Sequence, residues 1–270
     1  MPNEENEQQT PIEKLKQTLK KVEINGKSFY VAEGDLLVEE ENLEKYAAER
    51  AHNMKPQPAT GDGTDALSRL IAIKDPISGK AIRWKPGTVL SYCVLKRTFA
   101  DTAKYNTVKI NTKLAAFEWQ AVCGIEFEYR EQFDDTDDGA SPDVLFTVQE
   151  VDVGGRFIAA SFFPNDPPIR RVLVIDPTYY TTSFDKVGVL RHELGHVLGF
   201  RHEQISSLAP PVCQGELVGE VIELTKYDPK SVMHYFCGGV GSKKLEITDI
   251  DKEGAVKLYG PSFDDMSFFS

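Results

Sequence analysis

The stretch His192-Glu193-Leu194-Gly195-His196-Val197-Leu198-Gly199-Phe200-Arg201-His202-Glu203 places three imidazoles and two carboxylates close together along the chain. On a helix of about 3.6 residues per turn, His192 and His196 stand one turn apart on one face, and Glu193 projects beside them. A third ligand from the same helix would lie too far round or too far along, so the chain has to turn sharply after His196. Gly199 stands where that turn is needed, and glycine takes a positive φ at little cost. The turn returns His202 to the pair, completing three neutral nitrogen donors with a fourth position left for water, the ligand set of a catalytic zinc site. His192, His196 and His202 are therefore the expected metal ligands, Zn2+ the expected cofactor and Glu193 the expected general base.

Further along, Ser231-Val232-Met233-His234-Tyr235 has the form of a methionine turn. With the extended histidine motif it resembles the metzincin metallopeptidases. Glu203 directly after the third histidine, and Tyr235 two residues after the methionine, make the chain most similar to the astacins. The resemblance implies an α+β, metzincin-like zinc peptidase with a twisted mixed sheet, an active-site helix and a small C-terminal subdomain. It also implies that Tyr235 approaches the zinc as an additional ligand and swings to the substrate oxyanion, and that Glu203 contacts the mature amino terminus. Met233 would form an apolar floor beneath the metal, and His234 is expected to pack or hydrogen-bond in the core. The interval from His202 to Met233 is shorter than in many astacins, which leaves a bacterial astacin-like or a matrixin-like branch open.

Zinc brings the pKa of its water toward neutrality, and Glu193 would take the proton and pass it to the leaving amine. The Tyr235 hydroxyl, by the same resemblance, would help hold the negative charge on oxygen in the transition state. The implied activity is a zinc-dependent endopeptidase acting on a protein or peptide substrate. The alternative is a non-catalytic zinc-binding interaction module on the same fold, which would need neither Glu193 nor Tyr235. Regulation has its own candidate. Ala32-Glu33-Gly34-Asp35 resembles the astacin propeptide motif in which an aspartate caps the zinc, although Ala32 stands where the family has phenylalanine. By that resemblance Asp35 is a further zinc ligand in a latent zymogen; from its residues alone the string reads as a hairpin end with Gly34 in a turn. No cysteine precedes Cys93, so a thiolate switch from this segment is excluded.

The 270 residues, 41% hydrophobic and 27% charged, suit one enzyme domain with an extension. A formal net charge of -11, with no dense basic group flanked by stacking aromatics, argues against a nucleic-acid partner. No apolar run approaches the roughly twenty residues of a membrane span. Met1 to Thr10 is polar and acidic, unlike a secretory signal. Cytoplasmic action, export by a route without such a signal, and removal of a signal all stay open, with export favoured over the cytoplasm. Cys93, Cys123, Cys213 and Cys237 permit three fully paired connectivities, and buried free thiols are equally ordinary. A bridge between Cys213 and Cys237 is one of the open readings.

Along the chain, Glu13 to Lys21 has helical spacing, and Val22 to Val31 reads as a hairpin around Asn25-Gly26. Glu39 to His52 reads as a second helix, with His52 exposed, and Lys55 to Thr64 as a linker or processing site. The division expected is 1–64 for a pro-like segment and linker and 65–270 for the peptidase domain, itself split into 65–202 and 203–270. Cleavage between about residue 60 and about residue 80 would create an ammonium group able to pair with Glu203; a salt bridge to an arginine such as Arg201, and a surface position, are the open alternatives. Strands are expected at Val89–Leu95, Ile125–Tyr129, Val144–Val148 and Arg171–Ile175. Between the first two lies a helix, Thr102–Val122, on which Ile110, Leu114, Phe117 and Val122 recur at helical intervals. Asp134 to Asp138 reads as a solvated loop rather than a calcium site. Gly155 to Phe163 is the expected antiparallel edge strand, which in the metzincin arrangement pairs with an extended substrate. Asp249 to Tyr259 closes the chain as a helix.

Overall fold

The computed structural model describes residues 10–47, 70–75, 77–85, 87–137, 141–205 and 221–266. His52, the run Lys55 to Thr64, Pro210-Pro211 and Cys213 lie outside them.

The amino-terminal part builds from local signals. Thr10 and Glu13 form a reciprocal capping box that starts helix α1 (Pro11–Thr18). Strands β1 (Lys20–Ile24), β2 (Lys27–Ala32) and β3 (Leu36–Glu39) follow as an antiparallel sheet in sequential order. Asn25 (φ 50°) and Gly26 (φ 74°) make the tight turn between the first two, setting Val22 opposite Phe29. The helix expected from Glu39 begins with a 3-10 turn at Glu40–Asn42 and runs helically through residues 43–47.

Five strands form the central sheet: β5 (Val89–Val94), β6 (Glu126–Tyr129), β7 (Phe146–Glu150), β8 (Ala159–Ala160) and β9 (Val172–Ile175), in the order β6-β5-β7-β9-β8. All pairs are parallel except β8 with β9, so the sheet is mixed and its antiparallel member is an edge. The fold is α+β, as expected. Strand β7 starts later than the sequence pattern suggests, because Val144 is drawn into a turn by Ser141 O. Strand β8 is far shorter than Gly155–Phe163. Positive φ angles at Gly154 and Gly155 bend the chain before it, and a turn from Phe163 to the Asp166 carboxylate bends it after. A small antiparallel pair, β4 (Ile71–Ile73) with β10 (Val221–Glu223), lies apart from this sheet.

Helix α2 (Thr102–Gln120), capped by Asp101, connects β5 to β6. Its inward face differs from the expected one. Tyr105, Val108, Thr112, Ala115, Ala116 and Trp119 are buried, whereas Ile110, Leu114 and Phe117 are 54%, 47% and 64% exposed. Small residues on the inward side let α2 pack closely on helix α3 (Lys186–Val197), where the Trp119 indole donates to Arg191 O at 2.9 Å. The two helices and one sheet face enclose the main core, which includes Tyr92, Phe146, Leu173, Leu190, Leu194 and Met233. Asp134 also departs from expectation: it is buried, accepting hydrogen bonds from the Tyr105 and Tyr129 hydroxyls and from Val94 N. Asp135 and Asp137 are exposed. Helix α4 (Asp249–Tyr259) matches its expected span.

The other sheet face is covered by the amino-terminal strands. Val22, Ile24, Phe29 and Val31 pack with Phe157, Ala160 and Val174 in a second core. Leu36 bridges Ser161 in parallel, so the amino-terminal sheet runs directly into the cleft beside β8. No helix among the described residues is long and apolar enough to cross a membrane.

Candidate metal centre

Helix α3 starts at Asp185, whose carboxylate accepts from Gly188 N at 2.6 Å, and from Gly188 to Val197 every residue is buried. His192 and His196 face the same side with ring centroids 4.9 Å apart. The helix ends at Gly199, whose φ of 94° is a left-handed conformation that a side chain would strain. A β-carbon there would also approach Ile82 O to 2.5 Å. Phe200 then bridges Ala72, and His202 swings back until its Nε2 lies 3.0 Å from His196 Nε2. The sharp turn expected from the motif is present, and it brings the three imidazoles together.

The fourth member of the cluster comes from the far end of the chain. Asp35 Oδ2 lies 3.3 Å from His192 Nε2, 3.8 Å from His196 Nε2 and 3.3 Å from His202 Nε2. All four residues are buried, and one ligand atom from each lies within 4.8 Å of the others. The donor set fits a divalent cation. His192 Nδ1 and His196 Nδ1 each sit 2.8 Å from a backbone carbonyl, of Val232 and Phe200. Each ring therefore donates outward through Nδ1, and in its neutral form turns a lone pair inward at Nε2. His192 Nε2 is buried without a hydrogen bond. Tetrahedral zinc with ligands at about 2.0–2.1 Å would separate them by roughly 3.3 Å, close to the spacings found.

Electrostatics agree with that fit. Burial, against the pull of Asp35, pushes His196 down to about 4, which keeps it neutral and able to offer a lone pair. Burial works to raise Asp35, but the charge of His202 and the close imidazole nitrogens of His192, His196 and His202 hold its carboxyl well below the usual range. Glu193 goes the other way: burial, and then the Asp35 charge, push its carboxyl well above the usual value. Its Oε2 is buried without a hydrogen bond. Glu193 is thus a carboxyl with raised proton affinity beside the histidine cluster.

The floor and walls follow from packing. A β-carbon on Gly195 would overlap Met233 Sδ, so the glycine inside the motif lets the methionine lie directly under the helix. Asp251 holds that turn by accepting from Ser231 Oγ at 2.6 Å and Val232 N at 2.9 Å. His234 is buried between the Tyr227 hydroxyl and Tyr235 O, the core role expected of it. Ser161 Oγ, beside β8, donates to Glu193 O at 2.9 Å. The Tyr235 ring lies 4.2 Å from that of His202, but its hydroxyl donates to Glu33 O at 2.7 Å.

Glu33 is the residue that sequence reasoning missed. Its side chain is 1% exposed and pairs with Arg201 at 2.5 Å. Burial opposes its ionisation, yet the Arg201 charge and the His202 hydrogen bond hold its carboxyl below the ordinary range. Arg201 therefore pairs with Glu33, and Glu203 instead accepts from Asp228 N at 2.9 Å. Gly34 (φ 93°) passes so close to Tyr235 that a β-carbon would come within 2.8 Å of the hydroxyl. Gly34 lies in a turn at the end of the hairpin, and that turn brings Asp35 to the three imidazoles. Cys93 and Cys123 are free and buried, whereas Cys237 is disulfide-bonded.

No protein-family model matches the sequence, and no curated protein does. Among solved structures, the chain is similar to myroilysin, at 18% identity and a TM-score of 0.49 over 66% of this chain and 95% of that one. A second myroilysin structure gives 15% identity and 0.43 over 76% and 98%. High choriolytic enzyme 1, a hatching-enzyme zinc protease of the medaka fish Oryzias latipes, gives 17% and 0.44 over 70% and 99%. With identities of 15–18%, the chemistry has to be argued from the chain's own residues.

Proposed function

We propose that this chain is a zinc-dependent endopeptidase of the astacin type, kept latent by its amino-terminal segment. The observation that carries the reading is the buried convergence of His192, His196 and His202, with Glu193 at its side. The three imidazoles would hold the metal, His192 and His196 oriented at Nδ1 by the carbonyls of Val232 and Phe200, and His202 brought back by the turn at Gly199. Bound zinc supplies Lewis acidity, bringing water toward ionisation near neutral pH. Glu193 accepts the proton at its carboxylate and returns it to the leaving amine. Once released from Glu33 O, the Tyr235 hydroxyl becomes a donor for the charge that grows on the carbonyl oxygen.

Latency follows from what occupies the cleft. Asp35 fills the position that water needs, Glu33 ties the same turn to Arg201, and Leu36 pairs beside β8 where an extended peptide would lie. On this reading residues 1–64 form the inhibitory unit and linker, and residues 65–270 the catalytic unit. A disulfide at Cys237 favours an oxidising compartment, hence export.

The test is hydrolysis of an unfolded protein by the zinc-loaded full-length chain and by its Asp35→Ala variant, with and without a chelator. Chelator-sensitive cleavage that is restored by zinc is expected, and the Asp35→Ala variant is expected to be the faster. A zinc-loaded, folded Asp35→Ala variant without hydrolysis would leave the alternative, a zinc-binding interaction module.

A further inference from the structure

A cavity of about 750 Å³ lies where the amino-terminal sheet covers the central sheet, and none of Asp35, the three imidazoles, Glu193 or Tyr235 lines it. Ile24, Phe29 and Leu37 wall it from the amino-terminal side, and Val172 and Val174 from β9. Thr147 and Gln149, both buried on β7, give it a polar floor. There the Gln149 amide donates to Thr147 Oγ1 at 2.8 Å and accepts from Asn25 Nδ2 at 3.2 Å. Apolar walls with a few placed polar groups, at this volume, are the make-up of a small-molecule site.

Charge says what it would take. Lys27, Arg97, Arg170 and Arg171 line it against a single carboxylate, Asp166, in a chain whose formal net charge is -11. Arg170 pairs with Asp166 at 2.6 Å and with Glu39 at 3.6 Å, and Lys27 lies 3.9 Å from Glu39. Arg97 and Arg171 form no ion pair among the described residues. Arg171 is half-buried, its Nε donating to Asp166 O at 3.0 Å and its guanidinium lying 5.1 Å from the centroid of the Trp84 ring. Beside it, Arg170 Nε is buried without a hydrogen bond. Ile169, at the mouth, is 72% exposed. An anionic head would meet the unpaired guanidinium, and an apolar body the aliphatic walls. We propose that the cavity binds a carboxylate carrying an apolar chain, its head on Arg171 and its chain against Val172, Val174, Ile24 and Phe29. Because the walls come from both sheets, such a ligand also holds the amino-terminal sheet down on the central one, and whatever lifts that sheet releases the ligand. Neither step requires hydrolysis, so the site stands or falls apart from the peptidase reading.

Titration calorimetry of the full chain with octanoate tests the site, with acetate and 1-octanol as probes that lack the chain or the charge. Octanoate should bind at least ~10-fold more tightly than either. Arg171→Gln should weaken octanoate by roughly 10- to 100-fold, the loss of a hydrogen-bonded contact to a charged group. Ile169→Glu, a change at an exposed position that leaves the fold alone, puts a carboxylate at the mouth and should weaken octanoate as well. Hydrogen exchange over residues 27–37 should slow when octanoate is added to the parent and stay unchanged in Arg171→Gln. No octanoate binding, equal binding of 1-octanol, or an octanoate affinity unaltered in Ile169→Glu and in folded Arg171→Gln overturns the site. Binding at the site without slowed exchange overturns its grip on the amino-terminal sheet.

Discussion

Replacing Glu33 by alanine tests whether its contact with Arg201 holds the cleft shut. The Glu33 side chain is 1% exposed and that of Arg201 13%, with 2.5 Å between their charged atoms. Truncation leaves the guanidinium without this carboxylate for as long as the turn stays docked. Breaking one side of a buried pair costs about 3–5 kcal/mol. Arg201 also lies over the Phe163 ring, 5.8 Å from its centroid, so the low end of that range applies. The cost falls on the docked state alone, because a lifted turn returns Arg201 to water. At about 1.4 kcal/mol per tenfold, ~3 kcal/mol raises the open fraction roughly 100-fold, until opening is complete. The assay is the initial rate of hydrolysis of a quenched fluorescent peptide by the zinc-saturated full-length chain, with mass spectrometry verifying that the chain is uncut. Asp35→Ala should raise the same rate. The double variant should gain less than the product of the singles, since both residues act on one docking equilibrium. A folded, zinc-loaded Glu33→Ala chain that hydrolyses at the parental rate, beside an Asp35→Ala chain that does not, would refute the ion pair as a latch. Parental rates in all three variants would refute latency itself.

Glu193→Gln should retain zinc and lose hydrolysis, whereas His196→Ala should lose both; zinc content by plasma mass spectrometry against activity separates the two. Gly195→Ala should drive a methyl group into Met233 at an overpacking cost of about 1–3 kcal/mol. Calorimetry should then show a fall in Tm of roughly 3–10 °C, and an unchanged Tm would contradict the close approach. Burial pushes the Cys93 and Cys123 thiols up to about 12. The thiolate is therefore disfavoured at every pH below that value, and at pH 8 its share is about one part in 10⁴. An aromatic disulfide reagent should release nothing from these two in the native chain and should titrate both after unfolding.

The three-histidine half of the candidate site was legible because its geometry is local. His192 and His196 are set by helical period and His202 by one glycine, whereas Met233 was reached through the resemblance of its turn to a family motif. The starts of α2 and α4 were legible too, at Thr102 and Asp249, where Asp101 and Thr248 cap with bonds that span three residues. Helix α2 was misleading because it carries two competing faces. Ile110, Leu114 and Phe117 make the more apolar stripe, yet the closer packing is available to Ala115, Ala116 and Trp119 against α3. Interhelical distance, which small residues shorten, decided the orientation over bulk hydrophobicity. Asp134 was misread through its acidic neighbours, because the tyrosines that bury it stand on α2 and β6 and are invisible in its own segment.

The contact between Asp35 and the imidazoles shows where pattern reading stops. Asp35 could be suspected, because a short string around it has a known counterpart and a carboxylate can ligate zinc. Glu33 could not, because its partner lies at Arg201 and a charge pair between distant segments leaves no periodic trace. Yet both residues belong to one turn, and the turn works only as a unit. Gly34 lets the chain pass against Tyr235, the Tyr235 hydroxyl anchors Glu33 O, and Arg201 anchors the Glu33 side chain. With both ends of the turn fixed, Asp35 has little freedom except toward the imidazoles. A carboxylate delivered this way competes with water at high effective concentration, so a modest intrinsic affinity is enough to close the site. Once the turn lifts, that advantage disappears. The same carboxylate would then compete only as one anion among many, so on the proposed latency a single displacement of Glu33 to Asp35 would turn the cleft from closed to open.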